Sequence, residues 1–409
     1  MTEHQVEWMF LGLGAVLALG RLFGTAARRL GQPEVVGEIV AGILIGPTLF
    51  GGALSKVLLP TDIRPMLSGL ANLGLALFMF VIGYELRYTM LRESTRVAVR
   101  VSVSSMVLPF VLGAVLALQL AGDHPSKSRT GFVIFMAAAM SVTAFPVLAR
   151  ILSDRGMDRT RLGTVALASA AICDLAAWGL LALAAFAAGG AGPQRLLFVP
   201  VYLGAVFFVV RPLLGRLFAS ADAKGASATQ VCVLLCCLLL SCWATEWMGI
   251  HFIFGAFLLG AVAPRGTRRD LGAEISGQVQ TFGRLLLLPA YFVLAGTKVD
   301  LSSMGLSGLG ELVLILLTAV TGKFIGAYAG ARSSAVPPLQ STALAALMNT
   351  RGLTELVFLT AGLQLGVIDV PIYSLMVVMA LVTTGLANPV LRLLERHAGG
   401  GSQLLGSLT

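Results

Sequence analysis

The sequence predicts an all-α polytopic membrane protein with about 13 transmembrane helices, and three observations carry that prediction. Charge is scarce, apolar residues run in membrane-length blocks, and basic residues alternate between the connecting loops. Of 409 residues, 57% are hydrophobic and 12% charged, where a soluble chain carries about 25% charged. The apolar runs are about 18–25 residues long, enough to cross roughly 30 Å of hydrocarbon as a helix. Strand-like alternation is absent, which argues against a transmembrane barrel.

Along the chain the spans fall at about 8–27, 33–50, 66–86, 97–121, 130–152, 161–188, 195–218, 228–248, 250–264, 282–299, 308–331, 338–366 and 370–394. The first begins beyond Glu3 and Glu7 with no basic n-region, unlike a cleaved signal peptide, so it is expected to stay in the mature chain. With the amino terminus outside, Arg28–Arg29, Arg87–Arg100, Arg150–Arg161, Arg211–Lys224, Arg265–Arg284, Arg332 and Arg392–Arg396 all fall on one side. That gives about 21 basic residues inside, about 6 outside and about 2 within spans, the excess that fixes an N-out/C-in orientation. The same distribution explains the net charge of +9 without nucleic acid, which is excluded as a partner. No long hydrophilic segment offers a second domain, so 1–394 reads as one membrane domain and 395–409 as a short, disordered cytoplasmic tail.

All five cysteines (Cys173, Cys232, Cys236, Cys237, Cys242) lie in apolar segments, without the loop spacing of disulfides or zinc ligands. No H-E-x-x-H motif or obvious second buried acid supports an intramembrane enzyme, and no cofactor is implied.

Helix breakers are informative in a membrane, because freed backbone groups need protein, water or an ion. Span five reads Met140-Ser141-Val142-Thr143-Ala144-Phe145-Pro146, and Pro146 is expected to free the carbonyl of Val142. Span twelve reads Met348-Asn349-Thr350-Arg351-Gly352. Interrupted helices at corresponding positions of two halves point to a transporter site.

Asp174 lies near the middle of span six. At that depth a carboxylate needs a proton, a cation or a charge partner, so it suits an exchanger in which two ligands compete; the alternative is a structural ion pair. Lys323 lies about 12 Å inside its span, beyond the reach of snorkelling, and Asp174 is its natural partner. Ser141 and Thr143 offer hydroxyls, and Val142 a carbonyl, suited to a hard cation; a simple kink is the competing reading. Arg351 and Glu355 share a helix face at i,i+4, as a structural pair or a gate. Glu38 and Glu85, near span ends, read as solvated or paired groups.

Together the stretches PEVVGEIVAGILIGPTLFG (33–51), LANLGLALFMFVIGYELR (70–87), SVTAFPVLARIL (141–152), the Asp174 segment, GKFIGAYAGAR (322–332) and MNTRGLTELVFL (348–359) resemble the cation:proton antiporter superfamily. They are most similar to the monovalent cation/H⁺ branch with plant cation/H⁺ exchangers, bacterial Na⁺/H⁺ antiporters and K⁺ efflux systems. The resemblance implies inverted repeats with two crossing broken helices, interleaved core and dimerisation subdomains, an elevator motion and a homodimer in a bacterial plasma (inner) membrane. It implies Na⁺ or K⁺ exchanging for H⁺, with Na⁺ favoured, and pH homeostasis as the role. By position Asp174 matches the essential carboxylate, Thr143 the site threonine, and Lys323 the basic partner. Cys173 departs from the pattern, since that position usually holds Asp or Asn. A neutral thiol adds no second negative charge there, so electroneutral exchange is expected. The alternatives are proton-coupled export of an organic or ionophore-bound cation, and a transport-impaired sensor or channel.

Overall fold

The computed structural model describes residues 2–85, 95–157, 160–187, 195, 197–219, 227–249, 251–264, 286–302 and 304–397. The side chain of Glu85, most of the basic loops and residues 398–409 lie outside that set. The described residues are helical, with no strand. The helices are α1 (Glu3–Arg29), α2 (Glu34–Ile45), α3 (Ala53–Leu58), α4 (Arg64–Glu85), α5 (Thr95–Leu120), α6 (Arg129–Ser141), α7 (Phe145–Asp154), α8 (Arg161–Ala187), α9 (Phe198–Ala205), α10 (Arg211–Ala219), α11 (Ala228–Trp247), α12 (Phe252–Val262), α13 (Leu288–Gly296), α14 (Leu306–Arg332), α15 (Pro338–Met348), α16 (Leu353–Leu365) and α17 (Val370–His397).

Among the described residues nine stretches are long and apolar enough to cross a membrane, counting the interrupted 129–149 and 198–218 as one each. Three expected spans, the second, ninth and twelfth, are shorter or divided. The second is helical only over Glu34–Ile45, about 18 Å of rise, because Gly46-Pro47 follows it. The ninth is α12; the tenth is described only from 286 onward, where it holds α13. The twelfth is divided into α15 and α16.

The chain forms two compact units. Unit 1 comprises 1–21, 54–87 and 189–294; unit 2 comprises 22–53, 88–188 and 295–409. In unit 1, α4 and α12 pack through reciprocal glycines. A Cβ on Gly83 would lie 2.1 Å from the Phe257 carbonyl, and one on Gly260 would lie 2.0 Å from that of Phe80. Close backbone approach of this kind is how helices associate where lipid removes the hydrophobic drive.

Unit 2 uses the same device between α5 and α14. A Cβ on Gly326 would meet the Ser104 carbonyl at 2.4 Å, so the glycines of the 322–332 stretch pack helices. The outer face of α5 exposes Val99, Val103, Val107, Val111 and Val115, one ridge at i,i+4 spacing. Its inner face buries Ser102 and Ser105. Apolar outside and small polar inside is the pattern of a helix bathed in lipid.

Hydrogen bonds tie the ends of the unit 2 helices. At one end Asn388 donates to the Gly31 carbonyl at 2.7 Å, Arg155 to that of Asn388 at 3.1 Å, and Arg100 to that of Ser333 at 3.0 Å. At the other, Lys127 N–H donates to the Gly366 carbonyl at 3.1 Å, and Thr48 to that of Val299 at 3.0 Å.

Candidate functional site: two interrupted helices around Asp174

Helix α6 stops at Ser141, Val142 turns to extended backbone (φ −64°, ψ 141°), and α7 starts at Phe145. The interruption expected in span five is present, but Pro146 does not cause it by freeing the Val142 carbonyl, because the helix has already stopped at Ser141. Pro146 occupies the first turn of α7, where a missing N–H costs nothing. The interruption of the other pair ends at Gly352, whose φ of +153° is open only to glycine. A Cβ there would also meet Val147 at 2.8 Å.

The two interruptions meet. Ala144 N–H donates to the Thr350 carbonyl at 3.1 Å, and the Thr143 hydroxyl donates to the Met348 carbonyl at 3.1 Å. Each gap thus satisfies part of the backbone that the other leaves open, as a low-dielectric setting requires.

The four helix ends created here carry opposite partial charge, negative at carboxyl ends and positive at amino ends. The charged side chains follow that rule. Lys323, fully buried on α14, donates from Nζ to the Ser141 carbonyl. Arg351, also fully buried, donates to the Ala139 carbonyl at 2.8 Å and the Met140 carbonyl at 2.6 Å. Two cations thereby cap three consecutive carbonyls at the end of α6. Asp174, buried on α8, takes the other polarity: its Oδ2 accepts from Phe145 N–H, the first residue of α7, at 3.3 Å.

The direct Lys323–Asp174 ion pair expected from the sequence is not formed. The amine is held by the carboxyl end of α6 and the carboxylate by the amino end of α7. Arg351 and Glu355 do pair, at 3.2 Å, both fully buried. Glu355 is thus the second deep acid that the sequence left unrecognised. Replacing Lys323 by Ala leaves the Ser141 carbonyl without its donor, which costs about 1–3 kcal/mol. The variant is expected to melt lower, with a smaller added loss in an Asp174→Asn background. Strictly additive losses in a thermal-shift series would show that the two residues act independently.

The remaining sequence candidates lie around this centre with different exposures to it. The Ser141 hydroxyl donates to carbonyls of Ala137 (2.9 Å) and Met106 (3.0 Å), so its proton is spent on α6 and α5. Cys173 Sγ lies 3.7 Å from the Ser105 hydroxyl, within a polar seam where Ser102 bonds the Ser169 carbonyl at 3.0 Å. Glu38 is buried on α2.

Two contributors escaped the sequence reading. Thr384 on α17 donates to the carbonyl of Arg351, and Asn349 buries an Oδ1 that has no partner. A Thr-Thr pair in an apolar span was the available signal for the first. Asp174 Oδ1 and Glu355 Oε1 are likewise buried without a hydrogen-bond partner. Unpaired buried oxygens mark places for water or an ion. The chemistry on offer is oxygen ligation plus one carboxylate that can take a proton, which suits a cargo cation.

Interrupted helices meeting beside a buried acid, within a chain of membrane-length apolar helices, define a multi-pass membrane transporter. The chain belongs to the sodium/hydrogen exchanger family, whose transmembrane model matches residues 14–394, and so to the cation:proton antiporter superfamily. It is a transporter and not an enzyme. It is 39% identical to the Na⁺/H⁺ antiporter NhaS4 of Synechocystis sp., over 95% of this chain and 98% of that protein. It is 37% identical to cation/H⁺ antiporter 17 of Arabidopsis thaliana, over 95% of this chain and 48% of that one. It is 30% identical to K⁺/H⁺ antiporter 1 of Saccharomyces cerevisiae, over 88% and 43%. The chain therefore spans about half the length of these plant and yeast relatives. Its fold matches that of the sodium proton antiporter MjNhaP1 from Methanocaldococcus jannaschii, with a TM-score of 0.65, 16% identity and coverage of 98% and 100%.

Proposed function

We propose that the chain exchanges a monovalent cation, Na⁺ in preference to K⁺, for protons, with the two competing for Asp174. The observation that carries this reading is the Asp174 carboxylate itself. One oxygen rests on the amino end of α7 and the other is buried and unpaired. A carboxylate so placed holds a proton or a cation, and exchange follows if it cannot be left bare during crossing. Na⁺ is favoured by the relative that covers both chains almost entirely, a Na⁺/H⁺ antiporter; that cyanobacterial source also favours a bacterial plasma membrane. The Thr143 hydroxyl and the Val142 carbonyl would complete the oxygen ligands.

All of these groups belong to unit 2, which supports an elevator in which that unit carries the ion as one body while unit 1 supplies homodimer contacts. Thirteen crossings, inverted repeats and an N-out/C-in orientation complete the reading. The end-to-end contacts of unit 2 support the parity. Gly31, Arg155 and Asn388 come together, as do Arg100 and Ser333, and all five fall at the ends assigned inside. With Cys173 neutral, one cation exchanges for one proton.

Proteoliposomes carrying a pH-sensitive dye, challenged with Li⁺, Na⁺, K⁺ and Rb⁺, test the proposal. Na⁺-driven proton release should exceed that with K⁺ and should ignore an imposed membrane potential. A rate that tracks voltage would defeat the electroneutral stoichiometry, and no response to any of the four ions would defeat antiport. Thr143→Val keeps shape but removes a ligand oxygen. It should raise the apparent KM for the cation more than it lowers the maximal rate, whereas an unchanged cation dependence would leave Thr143 a purely structural hydroxyl.

A further inference from the structure

His124 lies in the loop between α5 and α6, far along the helices from Asp174, and the transport reading makes no use of it. The ring is 8% exposed, and each nitrogen faces a different carboxylate. Nδ1 lies 2.8 Å from Asp369 Oδ2 and Nε2 lies 3.2 Å from Glu311 Oε2. A neutral imidazole has one donor and one lone pair, so it can satisfy only one of these contacts. Only the imidazolium donates to both. The ring is thus a proton-dependent bridge between three segments: its own loop, the first turns of α14 and the turn before α17.

Those segments lead to the site. The loop opens α6, which ends at Ser141; α14 carries Lys323; and the turn closes α16, which carries Arg351's partner Glu355. Glu311 and Lys323 are about 18 Å apart along one helix. All three bridged segments fall at the ends that the charge distribution assigns outside.

We propose that His124, Asp369 and Glu311 form a proton-operated clasp that restrains transport at low external pH and releases it as pH rises. The charged groups around the ring are Asp369 from the α16–α17 turn, Glu311 from α14, and Asp123 and Lys127 on its own loop. Asp369 also caps α17, accepting from Ile372 N–H at 2.9 Å on its other oxygen, so it stays in place when the ring loses its proton. The Lys127 N–H bond to Gly366 does not titrate, so release loosens the bridge without detaching the loop. The Asp369 hydrogen bond, opposed by burial and helped by Glu311, holds the ring's pKa above the ordinary histidine value. A raised folded-state pKa means that the clasp stabilises fully below the ordinary value and is lost as pH rises through the raised one.

This rests on the antiport reading, and the two fail separately. The chain has four histidines, so ring-labelled protein gives a resolvable NMR titration that needs no transport, with His124→Gln assigning the signal. The expected midpoint lies above about 6.5 and falls in Glu311→Gln; an unshifted ring would overturn the clasp even if exchange is robust. In proteoliposomes, His124→Gln should lose the part of the low-pH inhibition that the bridge imposes, its rate at low external pH rising above that of the wild type to the limit set by proton competition at Asp174. Glu311→Gln, which keeps the side-chain shape, should move the inhibited limb to lower pH. A wild-type pH profile in either variant would reduce the bridge to a structural contact.

Discussion

Asp174→Asn should reduce cation-driven proton movement to the rate of empty liposomes while the protein still folds. The amide keeps the shape of the side chain and an acceptor for Phe145 N–H, now held at 3.3 Å by the carboxylate. The amino end of α7 therefore stays satisfied. What disappears is the ability to bind a proton and the negative charge that attracts a cation, and every scheme of competitive exchange needs both. Stability should move the other way. Asp174 has a buried oxygen without a partner, and neutralising a buried charge that its surroundings only partly compensate removes a desolvation cost. The variant is expected to melt at or above the wild-type temperature. Wild-type-like exchange would remove Asp174 from the mechanism; a variant that fails to fold would give it a structural role instead.

How far the sequence discloses this centre depends on the kind of information each residue carries. Periodicity and length place a residue on a helix and at a depth, and both were legible. Asp174 and Lys323 were correctly read as deep, and both interrupted stretches contain the polar runs that flagged them. Rotation about a helix axis and partners across the bundle were not legible. Lys323 and Ser141 are separated by 182 positions, and nothing local says that the amine turns to a helix end before it reaches a carboxylate. Pro146 was read as the cause of the interruption, by freeing the Val142 carbonyl, whereas the interruption lies ahead of it. Proline in mid-span looks like a kink, but its role depends on whether the residues before it are helical. Glu355 was placed on a helix face with Arg351, but Arg351 lies in the interruption ahead of α16, and the complete burial of Glu355 depends on helices contributed from elsewhere in unit 2. The second span was read as too long because the hydropathy window merges the short α2 with the apolar turn residues Gly46–Leu49 that follow it.

Arg351→Met should be the most destabilising single change in unit 2, by about 3–5 kcal/mol. The guanidinium is fully buried and holds three acceptors at once: the Ala139 and Met140 carbonyls and Glu355. Methionine fills similar space but donates nothing, so two carbonyls at the end of α6 lose their cap and Glu355 keeps its charge without a partner. Arg351→Lys should recover only part of the loss, because a point charge with one nitrogen cannot span two carbonyls and a carboxylate as the planar fork does. The decisive measurement is a double-mutant cycle with Glu355→Gln. If Glu355 is stranded in Arg351→Met, neutralising it as well should restore part of the lost stability, and the double variant should lose clearly less than the sum of the singles. The second readout is transport. The same arginine fixes where α6 stops, two residues before Thr143, so exchange per folded molecule should fall in Arg351→Met even where the double variant regains stability. Additive melting losses would show that Arg351 and Glu355 are neighbours without coupling. Wild-type exchange in the folded double variant would show that the arginine holds the bundle together but does not shape the ion site.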